Sequence, residues 1–249
     1  MDKQLPILLE DNPVIQEYLS NLSNHHQFDD MKNMEELLNY IARMEFQFAQ
    51  VSKELSEVKD LLSQMKSPTA KERLNQAVSK TEDFIDKGKS KLSDLKVELV
   101  NDMKQYLAEC KKKGKAGVVK TIHVMKFKSA LNGIHNASLM ANSKMKQVIQ
   151  TCDSISSEMR QSMNHFKNAG RMLLGKSPIN HKEDMQKLNF IQRGCRTVSN
   201  GLQRIASSTL KVMDKIENFE RPSVKQDMKL IGHSTKSSIT RPINKGLAR

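Results

Sequence analysis

Between Met34 and Met65, ten apolar residues fill every a and d position of an unbroken five-heptad frame: Met34, Leu37, Ile41, Met44, Phe48, Val51, Leu55, Val58, Leu62 and Met65. In a chain that is 37% apolar, ten hits in ten arise by chance in roughly one frame in twenty thousand. A helix with such a seam cannot bury it alone, so a partner helix must come from the same chain or from another. Leu38, Tyr40 and Leu61 flank the seam and broaden its apolar face, which favours a bundle of more than two helices. Glu54 and Lys59 stand at flanking positions suited to an interhelical charge pair.

Further stripes follow. The first long helix is expected over residues 31–66 and ends at Ser67 and Pro68, a proline suited to the first turn of the next helix. A second helix, 69–110, carries Leu74, Val78, Ile85, Leu92, Leu95, Leu99 and Tyr106 in one frame, with Thr81, Gly88 and Asp102 as misfits. Residues 116–132 are apolar on too many sides to show one face and are assigned a short separate helix. The heptad returns over 135–174 through Ala141, Met145, Val148, Cys152, Ile155, Met159, Phe166, Ala169 and Leu173, with Ser138 and Ser162 in frame. A last helix, 181–219, carries Leu188, Ile191, Cys195, Val198, Leu202, Ile205, Thr209, Val212, Ile216 and Phe219. Asn180 followed by Glu183 resembles a capping box. Gly194, Gly201 and Ser208 recur at seven-residue spacing beside that seam, where small side chains admit a neighbouring helix.

Long segments joined by short breaks predict an all-α, elongated antiparallel bundle with coiled-coil heptad segments. Residues 1–30 are expected to be peripheral, a short helix capped by Asn12 and Pro13 and carrying Val14, Ile15, Tyr18 and Leu22, then a linker. His25 and His26 in that linker lack acidic or cysteine partners at helical spacing and are expected to be solvated rather than metal ligands. The bundle spans 31–220, and residues 221–249, rich in Ser, Thr, Lys and Arg, form a disordered basic tail.

Charge is polarised along the chain. Residues 1–66 hold 6 Lys/Arg against 12 Asp/Glu, whereas residues 111–176 hold 13 against 2 and residues 177–249 hold 14 against 6. The net charge of +13 therefore belongs to the second half. Lys111, Lys112, Lys113, Lys115, Lys120, Lys126 and Lys128 form the densest run and are the candidate polyanion-binding residues. Few aromatics interleave with them, only Phe127 and Phe166, which speaks against single-strand base stacking there. Solvation of helices, or neutralisation of the acidic first helix, is the plain alternative use of such a run.

Cys110, Cys152 and Cys195 are widely spaced and are expected to be reduced, buried small hydrophobes in a cytoplasmic protein. The opening MDKQLPILLEDN has no basic and apolar signal pattern, and no apolar run reaches the ~18 residues of a membrane span. Gly170-Arg-Met-Leu-Leu-Gly175-Lys176-Ser177 has the spacing of a phosphate-binding P-loop. That motif needs a strand before it and a helix after it; here a helical heptad precedes it and Pro178 follows. A helix C-terminus closed by Gly175, with Arg171 and Lys176 near the last carbonyls, accounts for the same residues.

Two blocks resemble an uncharacterised helical family, a domain of unknown function found on conjugative mobile elements of Gram-positive gut bacteria. One runs His165-Phe-Lys-Asn168-Ala-Gly170-Arg171-Met-Leu-Leu-Gly175-Lys176; the other lies within Leu37 to Leu62 and includes Asn39-Tyr40-Ile41-Ala42-Arg43-Met44-Glu45-Phe46-Gln47-Phe48. The resemblance implies a setting and no activity, and leaves His165, Asn168, Gly170, Arg171, Gly175 and Lys176 without an assigned role. No histidine stands in a motif with a nucleophile or carboxylates, so no catalytic residue, metal or cofactor is expected. The expected function is a non-enzymatic structural or interaction protein of a mobile element: a helical scaffold with a basic surface, partnered by protein or by self-association through its helices. Its rivals are a sequence-nonspecific DNA-binding accessory protein and a peripheral binder of anionic membrane inserting Val118, Val119, Ile122 and Phe127.

Overall fold

A computed structural model describes residues 11–113, 124–170 and 182–220. They form five helices: α1 Pro13–Asn24, α2 Phe28–Ser63, α3 Pro68–Lys113, α4 Val124–Gly170 and α5 Lys182–Glu220. Among the described residues there is no strand, and the chain is an all-α helical bundle. The chain divides into two units, 1–213 and 214–249. Of the second, only the end of α5 is described.

The seam predicted from Met34 to Met65 is buried throughout, with Ile41, Met44 and Leu62 fully inaccessible. Met65 lies past the helix, yet it too is buried in the turn to α3. Cross-helix contacts fix the order of the bundle. Lys59 reaches Glu82, Lys89 reaches Ser52 and Lys96 reaches Glu45, so α3 runs antiparallel to α2. Arg73 reaches Glu158 while Gly133 faces Lys91, which sets α4 antiparallel to α3. Ser199 donates to Asn142, Gln192 to Asp153, and Ala206 lies opposite His135, which sets α5 antiparallel to α4. Gly194 and Gly201 face Val58 and Val51, so α5 also lies along α2. Four antiparallel helices thus close a ring, α2 to α3 to α4 to α5 and back to α2, with their a/d stripes buried.

The glycine ladder explains how the ring closes. A Cβ on Gly194 would stand 2.7 Å from Val58 Cγ2, and one on Gly201 2.5 Å from Val51 Cγ2. Only glycine admits α2 at that distance. The same register sets Ser208 beside Met44, continuing the ladder with a small residue. The misfit Gly88 has the same cause, since the Phe48 ring lies 2.7 Å from where its Cβ would be. Phe48 thereby fills a layer that a side chain at 88 would deny it.

The first turn of α5 is latched to the α2–α3 turn. The buried carboxylate of Asp184 accepts from the Lys66 backbone N–H at 3.1 Å, Lys187 donates to the Gln64 carbonyl at 2.7 Å, and Lys66 pairs with Glu183. Anions in a first turn also suit the helix dipole.

Several expectations need correction. Residues 1–30 are not peripheral as a whole. The predicted cap is present, Asn12 Oδ1 accepting from Val14 N at 3.0 Å ahead of Pro13, but Ile15, Tyr18 and Leu22 are buried against α2 and α3. Tyr18 packs edge-on to Tyr106 with centroids 5.0 Å apart, which uses the tyrosine assigned to the α3 seam. The α3 stripe itself moves from Asp102 and Tyr106 to Met103 and Leu107, both buried, because a 3.6-residue helix drifts off a strict heptad. The first long helix starts at Phe28 and not at 31, leaving only a tight turn through His25 and His26. The separate helices 116–132 and 135–174 are one helix in the described residues, α4, running from Val124 through Gly133 to Gly170. Phe127, Leu131 and Ile134 extend its buried stripe directly into Ser138 and Ala141. Lys59 pairs with Glu82 of α3 at 2.8 Å instead of with Glu54. Residues 114–123, 171–181 and 221–249 lie outside the described residues, and with them Asn180 of the predicted capping box and the predicted basic tail.

Candidate functional site

Of the predicted polyanion-binding lysines, Lys111 and Lys112 are exposed at the end of α3. Lys111 Nζ pairs with Glu17 of α1 at 2.9 Å, so part of this run neutralises a neighbouring helix. Lys113 and Lys126 fall at the adjoining ends of α3 and α4, Lys128 is partly buried one turn into α4, and Lys115 and Lys120 lie outside the described residues. Phe127, one of the residues assigned to membrane insertion, is 1% exposed and belongs to the core; its companions Val118, Val119 and Ile122 lie outside the described residues. His165 is exposed on α4, Asn168 and Gly170 stand in its last turn, and Arg171, Gly175 and Lys176 are not described.

The fold creates a different basic surface that one-dimensional reading misses. Residues 124–152 of α4 contain Lys126, Lys128, Lys144 and Lys146 and no Asp or Glu. Residues 185–213 of α5 contain Lys187, Arg193, Arg196, Arg204 and Lys211 and again no Asp or Glu. The antiparallel pairing of His135 with Ala206 and of Asn142 with Ser199 lays these two stretches side by side. At 1.5 Å per residue the shared track is about 35 Å long, free of acids along its length and closed at one end by Asp153, which accepts from Gln192. Lys146, Arg193 and Arg196 are exposed along it, and the register puts Lys146 level with Arg196. Lys146 and Arg196 have no carboxylate partner among the described residues; Arg204, likewise without one, lies on the α2 flank of α5 and not on this track. By contrast, α2 carries 8 Asp/Glu against 4 Lys/Arg, and its cross-helix ion pairs engage α3.

Beneath this face the α4–α5 contact is polar. Ser199 Oγ donates to Asn142 Oδ1 at 2.5 Å, both residues being buried. Buried Thr209 donates to the Ala206 carbonyl at 2.7 Å, and His135 Nδ1 lies 3.0 Å from the same oxygen. Ser138 Oγ is buried with no hydrogen-bond partner. Cys152 and Cys195 are buried on facing helices as free thiols, and burial pushes both up to about 12 from an ordinary 9.0. A thiol so poorly ionised is a weak nucleophile. Among the described residues no three His, Cys, Asp or Glu side chains converge as metal ligands, and no helix is long and apolar enough to cross a membrane.

A groove of about 430 Å³ runs over the α2–α5 contact, lined by Asn39, Ala42, Arg43, Phe46, Gln47, Gln50, Gly201 and Arg204. Glycine at 201 leaves its floor open. Within the second resembling block, the buried members Ile41, Met44 and Phe48 serve the core, while Asn39, Ala42, Arg43, Phe46 and Gln47 face this groove.

A family model covering residues 11–245 matches the chain. The protein belongs to DUF6674, a family of unknown function. The DUF6674 match extends well beyond the two blocks that carry the sequence resemblance and includes most of the basic C-terminal segment. No curated protein and no solved structure matches the chain.

Proposed function

We propose that this DUF6674 protein is a non-enzymatic interaction module, a helical scaffold that presents a basic face to a polyanion, with duplex DNA as the ligand. The observation that carries the reading is the juxtaposition of two acid-free stretches of α4 and α5 along one track of about 35 Å, matching roughly one turn of duplex in length. Cations arrayed without acids steer and hold phosphates by releasing counterions, with no need of base contacts. The setting suggested by the resemblance, a conjugative mobile element in the bacterial cytoplasm, is one in which DNA is the abundant polyanion. The unoxidised, buried thiols are compatible with that compartment. Lys112 and the basic segments on either side of α4 add charge to the same half of the sequence. Coiled-coil-like seams serve, in this reading, to hold the scaffold rigid rather than to recruit a foreign helix.

Fluorescence anisotropy with a duplex across a salt series tests the proposal. Wild type is expected to bind at low salt, with a log–log slope near −0.9 for each phosphate neutralised. Lys146→Gln with Arg193→Gln and Arg196→Gln should flatten that slope by about 3. No binding at low salt overturns the DNA reading, and an unchanged slope in the triple variant overturns the assignment to this face. Binding of anionic vesicles but not of DNA would favour the membrane alternative.

A further inference from the structure

From the groove over the α2–α5 contact we infer a site for a mononucleotide unit, a phosphate joined to a planar heterocycle. The inference is independent of the DNA-binding face, because the groove lies on the other flank of α5. Three features of the wall each specify part of the ligand. Arg43 and Arg204, brought together from positions far apart in the sequence, have no carboxylate partner among the described residues, and no acid lines the groove. Arg43 lies over the Tyr40 ring at 6.0 Å, which props the guanidinium rather than neutralising it. Two unpaired guanidinium groups in one groove favour an oxyanion, and the planar fork of each fits phosphate oxygens.

Phe46 is 69% exposed, the most exposed of the large apolar side chains described. On an outward helical position a phenyl ring contributes nothing to the core, but it offers a flat face on which an aromatic ring can stack. Gln47 supplies the third feature. Its Oε1 is buried in the wall with no hydrogen-bond donor, a cost of about 1–3 kcal/mol that a ligand N–H or O–H would relieve. Asn39 and Gln50 add amides at the rim. Anion, planar ring and hydrogen-bond donor occur together in a nucleotide. An aspartate or glutamate side chain lacks the ring, and a fatty acid lacks the donor. The volume of about 430 Å³ suits one such unit.

Titration calorimetry with AMP, adenosine and inorganic phosphate as probes tests the site on the full chain. AMP is expected to bind saturably and more tightly than either fragment. Phe46→Ala should weaken AMP about 5- to 100-fold through lost stacking, and Arg204→Gln about tenfold or more. Gln47→Leu should weaken AMP while leaving the fold as stable or more so, which separates a ligand role from a structural one. Since Phe46, Arg43 and Arg204 are exposed, their variants should keep the wild-type circular dichroism. A 5′-phosphorylated single-stranded tetranucleotide distinguishes the source: binding tighter than AMP assigns a strand terminus, and equal binding assigns the free nucleotide. The Lys146→Gln/Arg193→Gln/Arg196→Gln variant should bind AMP as wild type does, so failure of the DNA face and failure of this site are distinguishable. The inference is overturned if AMP shows no saturable binding at millimolar concentration, if phosphate alone binds as well as AMP, or if Arg43→Gln/Arg204→Gln binds AMP undiminished.

Discussion

Replacing Gly201 by alanine probes the closure of the bundle at its tightest point. The new Cβ would stand 2.5 Å from Val51 Cγ2, about 1 Å or more inside an ordinary carbon–carbon contact. Valine in a helix has one strongly preferred rotamer and cannot swing aside, and Val51 is buried on all sides. The two helices must therefore separate. Overpacking of this kind costs about 1–3 kcal/mol, while the glycine-to-alanine change returns about 0.8–1.0 kcal/mol of helix propensity. The net expectation is a loss of about 0–2 kcal/mol. Gly133→Ala supplies the reference, because its Cβ would meet only the flexible side chain of Lys91, with Cδ at 3.2 Å and Cγ at 3.3 Å, which can move aside. Propensity alone acts there, and the variant should gain up to about 1 kcal/mol. The difference between the two variants, about 1–3 kcal/mol, cancels propensity and isolates the close approach. Urea unfolding followed by far-UV circular dichroism measures it. Val51→Ala in the Gly201→Ala background should recover part of the loss, a coupling that distant pairs do not show. If Gly201→Ala proves as stable as Gly133→Ala, α5 does not lie against α2 as described.

Three further outcomes follow from the same geometry. Asn142→Ala strands the buried Ser199 hydroxyl and should cost about 1–3 kcal/mol, and a double-mutant cycle with Ser199→Ala should show the two effects to be coupled rather than additive. Cys152 and Cys195 are raised from 9.0 to about 12 by burial. The unfolded chain therefore loses these protons first, so the stability they carry is complete below pH 9 and is lost as pH rises from 9 to 12. Urea midpoints across that window should fall, less steeply in Cys152→Ala/Cys195→Ala, and a thiol reagent at neutral pH should label partly exposed Cys110 well before either. His26 holds φ 59°, the left-handed region, in the turn between α1 and α2. His26→Gly should melt higher than His26→Val by the equivalent of about 1–2 kcal/mol, since a β-branched residue is strained there.

Much of the fold was legible in the sequence because one period governs it. The a/d stripe of α2, that of α5 from Leu188 to Ile216 and most of those of α3 and α4 are buried where heptad spacing places them, and the Gly194 and Gly201 pair marks the flank that another helix approaches. Legibility failed where a residue answers to a neighbour distant in sequence. Gly88 is a misfit until Phe48 is seen opposite it, and Tyr106, carried off the seam by helix drift, packs on Tyr18 of α1. Residues 127–134 belong to α4 because Phe127, Leu131 and Ile134 continue the buried stripe of Ser138 and Ala141, a continuity hidden by the other apolar residues around them. The basic run at Lys111–Lys128 drew attention by local density, yet Lys111 is engaged by Glu17. The acid-free α4–α5 track is dilute in sequence and becomes a surface only when two stretches some 60 residues apart are paired. Arg43 and Arg204 meet at the groove for the same reason.

The pairing of α5 with both α4 and α2 inside one chain underlies the basic track and the groove alike. Zero-length carbodiimide cross-linking of an equimolar mixture of light and heavy isotope-labelled protein, read by mass spectrometry, tests it through Lys66 and Glu183, which form an ion pair between the α2–α3 turn and the first turn of α5. Closure within the chain predicts a Lys66–Glu183 cross-link in all-light and all-heavy forms alone; cross-links mixing light and heavy halves would show that α5 completes the bundle of another copy.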